Sequence, residues 1–260
     1  MLELKNVTVS YGERPVVRDF SMTLKKGEII SLVGESGSGK TTVIRAILGL
    51  LPGGGKVTDG DILFEEKSLL QNTNEQWRKL RGTDISMIFQ DSGAMMNPIR
   101  KIGSVFTEYI RTHEKVSKKD AWEKGVEMLA RMRLSDGNHI MNSYPFQLSG
   151  GMRQRVGIAM AMTFRPKLLL ADEPTSALDV TTQAQIVRQM MELRDEYGTS
   201  IIIVTHNLGV AAYMGDKVIV MQHGKIMDQG DRERVLRFPQ SEYTRSLIAA
   251  VPTLEGERYV

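Results

Sequence analysis

Ile29-Ile30-Ser31-Leu32-Val33-Gly34-Glu35-Ser36-Gly37-Ser38-Gly39-Lys40-Thr41-Thr42 is the stretch that decides the fold of this 260-residue chain. The apolar run at its start reads as a buried strand. Gly34–Thr41 then fits G-x-x-x-x-G-K-[ST] at every position and opens a helix expected from about Lys40 to Leu50. Strand, loop and helix in that order are the setting the motif requires. Outside it, the same residues would read as a flexible Gly/Ser turn with an incidental lysine. The glycines let the backbone curl so that successive N–H groups face one anion. The helix start adds its partial positive charge. Gly34, Glu35, Ser36, Gly37, Ser38 and Gly39 are thus the expected phosphate cradle. Lys40 is expected to reach the β- and γ-phosphates, the Thr41 hydroxyl to ligate Mg²⁺, and Thr42 to add a phosphate contact.

Outward from this stretch, Leu2 to about Leu24 alternates apolar and polar residues around the turn Tyr11-Gly12-Glu13-Arg14-Pro15, an antiparallel hairpin pattern. Pro52-Gly53-Gly54-Gly55 stops the first helix, and strands are expected at Asp59–Phe64 and Ile85–Phe89. From about Gln90 to Phe164 the chain turns helical and polar. Strand and helix then alternate again through Leu168–Ala171, Thr181–Tyr197 and Ile201–Val204, with short strands near Lys217–Met221 and Gly224–Met227. Such alternation implies a parallel sheet with helices on both faces. The expected fold is α/β: a P-loop NTPase (RecA-like) parallel-sheet core with an N-terminal antiparallel β subdomain and an inserted α-helical subdomain. Within a single domain over residues 1–260, the expected parts are 1–89 (β subdomain and first part of the core), 90–164 (helical), 165–240 (rest of the core) and 241–260 (tail).

Composition removes several function classes. Hydrophobic residues make up 41% and charged residues 25%, as in ordinary globular proteins. A net charge of +3 is too mild to imply nucleic-acid binding. With no cysteine, disulfides, thiolate metal sites and iron–sulfur clusters ligated by this chain are excluded. The N-terminus lacks the apolar core of a secretory signal. No apolar run approaches the roughly 20 residues of a membrane-spanning helix, so a membrane role is expected to come through a partner. The 16 methionines read as core filling rather than as metal ligands.

Two further motifs carry chemistry. Leu168-Leu169-Leu170-Ala171-Asp172-Glu173 is an apolar strand ending in two carboxylates. In a nucleotide-binding sheet the C-terminal strand ends face the phosphates. Asp172 is then expected to hold Mg²⁺, and Glu173 to accept the proton of an attacking water. Taken alone, the pair would read as a solvated strand end. Leu148-Ser149-Gly150-Gly151-Met152 leads into a helix, so a hydroxyl, bare amides and a helix dipole converge at Ser149, Gly150 and Gly151. That is a second anion site, or simply an N-capped helix with a glycine-rich lead-in.

The run Leu148-Ser149-Gly150-Gly151-Met152-Arg153-Gln154-Arg155 resembles the signature sequence of ABC ATPases, and the resemblance extends over about residues 1–250. It implies that the signature of one subunit closes over ATP held by its partner. It implies that Tyr11 stacks on adenine, where the residues alone allow local packing in the hairpin. It further implies that Gln90 senses Mg²⁺ and water, that Ser176-Ala177-Leu178-Asp179 touches the opposite subunit, and that His206 contacts the γ-phosphate. His113, His139 and His223 read as structural or solvated. Tyr144-Pro145-Phe146-Gln147, Asp172–Thr181 and Tyr243-Thr244-Arg245-Ser246-Leu247 are similar to importers for peptides and nickel. The resemblance therefore implies an ATP-hydrolysing subunit, with ATP and Mg²⁺ as cofactors, energising an importer for peptides, nickel or a nickel chelate. Its partners would be a second ATPase subunit (the same chain or a different one), two membrane permeases and, indirectly, an extracytoplasmic binding protein. It would sit peripherally on the cytoplasmic face of the cell membrane, with no nucleic-acid partner. The alternative is an ABC-type ATPase acting on nucleic acid, ribosomes or a multienzyme complex. The sequence departs from the pattern at Ser92, where proline is usual, at Asn207, where aspartate is, and at Ser241-Glu242, where His-Pro is. The cysteine-containing C-terminal extension of the long peptide importers is not expected here, since the chain ends at Val260 without cysteine.

Overall fold

The computed structural model describes residues 1–90, 95–176 and 178–250; Ser92 and Ala177 lie outside them. In chain order the first elements are β1 (Leu2–Tyr11), β2 (Arg14–Leu24), β3 (Ile29–Val33), α1 (Lys40–Ile47), β4 (Lys56–Phe64) and β5 (Lys67–Ser68). Next come α2 (Asn74–Leu80), β6 (Ile85–Ile88), α3 (Ile102–His113), α4 (Lys118–Arg131), α5 (Gly137–Asn142), α6 (Gly150–Met162), β7 (Leu168–Asp172) and α7 (Val180–Tyr197). The chain closes with β8 (Ser200–Thr205), α8 (Leu208–Met214), β9 (Lys217–Gln222), β10 (Lys225–Asp231), α9 (Arg232–Arg237) and α10 (Glu242–Ala249). They fall into two compact units, Met1–Leu70 with Ile203–Val260, and Gln71–Ile202.

In the first unit, β1 pairs antiparallel with β2 and with β4, and β4 with β5. The hairpin closes through the two residues between Tyr11 and Arg14, and Gly12 takes φ +59° there at no steric cost. The alternation read in the sequence is real: Leu2, Leu4, Val7 and Val9 are buried, while Lys5 and Asn6 face solvent. β3 runs parallel to β9, from Ile30 opposite Lys217 to Val33 opposite Val220, and β10 adds antiparallel to β9. β3 is buried along its whole length, as expected of a parallel strand covered on both faces. Val33, Leu208, Ala211, Val218, Val220 and Val235 form a cluster, and Leu236, Tyr243, Leu247 and Ile248 pack against it. A fully buried valine or leucine side chain contributes about 1.5–3 kcal/mol. The cluster therefore fixes α8, α9 and α10 beside β3.

In the second unit, β6 and β7 pair in parallel, from Ile85 opposite Leu168 to Ile88 opposite Ala171. α3, α4, α5 and α6 pack on one another around Phe106, Ile110, Leu129 and Val156. Tyr109 donates from its hydroxyl to the Gly82 carbonyl at 2.7 Å, and its ring meets His113 and Phe164. Burial pushes the Tyr109 phenol up to about 12. His113 thus has the structural setting expected of it. α7 starts at an Asp179 cap and ends at Gly198 with φ +67°. Helices α2, α8, α9 and α10 have no counterpart in the elements expected from the sequence. Each has only six to eight residues, too short for a clear period.

Candidate functional site

The phosphate loop lies in the first unit, between the buried strand β3 and α1. Gly34, Gly37 and Gly39 have φ of +146°, +80° and +103°, a region that disfavours any side chain. A Cβ on Gly34 would lie 2.2 Å from the Met221 carbonyl oxygen, so glycine is required there on two grounds. Gly39 is the N-cap of α1 and offers no side chain to its amides. The first turn of α1 therefore presents backbone N–H groups and the dipole toward the loop. Lys40 is only 4% exposed. Its ammonium donates to the Gly34 carbonyl at 2.8 Å, the Glu35 carbonyl at 2.6 Å and Ser38 Oγ at 3.2 Å. Three donors meet three acceptors, which holds the cation at the centre of the curl.

Other elements of the first unit close on this loop. The Gly224 amide donates to the Ser38 carbonyl at 3.0 Å, and the Arg18 amide to the Gly224 carbonyl at 2.9 Å. The β9–β10 turn thus ties the loop to the hairpin. Tyr11, at the end of β1, packs its ring against the backbone of Gly55. His206 follows β8 and is exposed. It lines a cavity of about 680 Å³ together with Gly34, Glu35, Asn207, Leu208 and Leu247. Asn207 caps α8, its Oδ1 accepting from the amides of Gly209 at 2.9 Å and Val210 at 3.3 Å. Aspartate at this position would make the same cap, which accounts for the departure. Ser241 likewise caps α10 by accepting from the Tyr243 amide.

The second unit carries the carboxylates and the signature. Asp172 ends β7 and is 3% exposed. Glu173 follows with φ +45°, a left-handed conformation uncommon for a side chain of this kind and of the sort that clusters at functional sites. Its carboxylate accepts from the Gln90 amide nitrogen at 3.3 Å. Sequence spacing gave no sign of the strained backbone or of this pairing. Ser149 caps α6, accepting from the Met152 amide at 3.3 Å. Asp179 caps α7, accepting from the Thr182 amide at 2.9 Å and the Thr182 hydroxyl at 2.7 Å. That hydroxyl first, then the amide, holds the Asp179 carboxyl below the usual carboxylate range. A Cβ on Gly151 would lie 2.9 Å from the Thr182 methyl, and one on Gly150 3.8 Å from Leu178. The starts of α6 and α7, capped by Ser149 and Asp179, are therefore side by side. Two adjacent helix N-termini make a positive surface suited to an anion.

Residues 17–176 match the family model described as ABC transporter. The oligopeptide transport ATP-binding protein OppD of Bacillus subtilis is 44% identical over 98% of this chain and 73% of its own length. The dipeptide transport ATP-binding protein DppD of Lactococcus lactis is 41% identical over 98% of this chain and 75% of its own length. Among solved structures, the dimeric post-hydrolysis state of the ATP-binding cassette MJ0796 bound to ADP and Pi matches with a TM-score of 0.78 at 29% identity, over 89% of this chain and 99% of that one. The cbiO1 protein of Clostridium perfringens, part of the ABC transporter complex cbiONQ, matches with a TM-score of 0.79 at 26% identity, over 96% and 95%. The expected P-loop NTPase class is thereby established. Likeness along nearly the whole chain to ATP-binding cassettes, with a glycine-lined loop leading from β3 into α1, makes this protein a member of the ABC transporter family, an ATPase that couples hydrolysis to transport.

Proposed function

We propose that the chain energises the import of peptides, working as one half of an ATPase dimer at the cytoplasmic face of a membrane. The names of the oligopeptide and dipeptide transport relatives support peptides over nickel. In this reading the passage itself belongs to two permease partners fed by an extracytoplasmic binding protein; among the described residues of this chain no helix is long and apolar enough to cross a membrane. The dimeric state of the MJ0796 cassette bound to ADP and Pi supports the pairing.

In this reading Tyr11 stacks on adenine and the 34–39 cradle holds the phosphates. Lys40, with Thr42 beside it, neutralises the β- and γ-phosphates, and His206 contacts the γ-phosphate. Thr41, Gln90 and Asp172 offer only oxygen donors with a single carboxylate, a set suited to a hard cation that also takes phosphate oxygens. Mg²⁺, when bound there, would neutralise charge developing on the phosphates. Gln90 orients Glu173, and Glu173 accepts the proton of the attacking water. Ser149, Gly150 and Gly151 bind the γ-phosphate held by the partner subunit, and Asp179 lies at the subunit contact. Loss of the γ-phosphate removes the bridge and lets the dimer open.

The observation that carries this chemistry is Glu173 itself, held in a left-handed backbone beside buried Asp172 with Gln90 on its carboxylate. Glu173→Gln should retain ATP binding, lower kcat about 10²- to 10⁴-fold and accumulate an ATP-bound dimer in size-exclusion chromatography. Turnover near wild type would remove Glu173 from the role. In vesicles holding the full transporter, labelled peptides should accumulate with ATP. Uptake of nickel without peptide would overturn the substrate class.

A further inference from the structure

The Tyr243-Thr244-Arg245-Ser246-Leu247 stretch has no part in the chemistry above, yet it reaches the phosphate loop. Tyr243 stands on the first turn of α10, and its hydroxyl accepts from the Glu35 amide at 3.1 Å. That N–H belongs to the same peptide unit as the Gly34 carbonyl, which accepts from the Lys40 ammonium at 2.8 Å. One peptide plane is therefore gripped at both ends, by the lysine at its oxygen and by the tyrosine at its nitrogen. Gly34, at φ +146°, supplies the rotational freedom that such a grip removes.

The rest of α10 is built to deliver this hydroxyl. Buried Asp228 on β10 accepts from the amides of Gln240 at 3.3 Å and Ser241 at 2.9 Å, fixing where the helix begins. Ser241 caps it, and Arg245 donates to the Pro239 and Gln240 carbonyls at 3.2 Å. Tyr243, Leu247 and Ile248 pack on the β3–β9 cluster. Burial pushes the Tyr243 phenol up, so it stays protonated at neutral pH and keeps its neutral oxygen as acceptor.

We propose that Tyr243 is a positioning residue for ATP binding: it locks the Gly34–Glu35 peptide and, through it, the place of the Lys40 ammonium. The inference rests on the assignment of Lys40 to the phosphates. Tyr243→Phe removes the acceptor and keeps the ring. In the assembled transporter it should raise the KM for ATP about 2- to 10-fold, the range for one net hydrogen bond, with kcat changed less than twofold. Hydrogen exchange of the 34–39 segment should quicken while that of α10 stays as in the wild type. Ile248→Ala trims the same packing without touching the hydroxyl and should leave the KM unchanged. Unchanged KM and exchange in folded Tyr243→Phe would overturn the proposal, and so would an equal KM rise in Ile248→Ala. Lys40→Ala, measured alongside, separates the two readings. If its ATP affinity stays at the wild-type level, the lysine assignment fails whatever Tyr243 does.

Discussion

Single residues here often serve a local structural need and a chemical one at once. Asn207 completes the first turn of α8 with two amide bonds to one oxygen. Asn207→Ala should cost about 1 kcal/mol, read as a Tm lower by roughly 2–4 °C, whereas Asn207→Asp should leave Tm unchanged. Tyr109 gives a pH-dependent counterpart. Its folded value, about 12, lies above the ordinary 10, so folding binds the proton more tightly than the unfolded chain does. The resulting stability is complete below about pH 10 and is lost as the pH climbs to about 12, some 2–3 kcal/mol in all. Urea titrations of Tyr109→Phe over that range should show a flatter alkaline decline than the wild type. The curl of the loop after β3 was legible because the spacing of Gly34, Gly37 and Gly39, all at positive φ, allows little else. The Tyr243–Glu35 bond, which joins residues 208 apart, and the backbone of Glu173 were not, because nothing local in the sequence encodes them.

At the scale of elements, hydrophobic period was a good guide where segments were long. The β1–β2 hairpin, the fully buried β3 and β7, and α7 all follow from it. Its failures were α2, α8, α9 and α10, short helices whose positions depend on caps and tertiary packing. Turns matter as much as the elements they join. Gly224, with φ +78°, sits where a Cβ would come 2.0 Å from the Val16 carbonyl oxygen, and its amide holds the Ser38 carbonyl. Gly224→Ala should therefore destabilise by about 2–3 kcal/mol in denaturant unfolding and weaken ATP binding as the loop loses its tether. Ser149→Arg addresses the other unit. It should abolish most hydrolysis while an isolated subunit still binds ATP with wild-type affinity by calorimetry. Loss of that affinity would contradict a role toward the partner's nucleotide.

For the molecule as a whole, a surplus of three positive charges and the lack of cysteine bounded the function early, and likeness to known cassettes then fixed the family. Composition left the cargo unread, since an ATPase subunit is selected for phosphate chemistry and for its contacts with other subunits. The apposition of α6 and α7 has a consequence for assembly. A methyl added to Gly151 would lie 2.9 Å from the Thr182 methyl, so the start of α6 is packed closely on that of α7. If the proposed dimer forms on this face, Ser149 and Asp179 would reach the partner together, like two prongs of one plug.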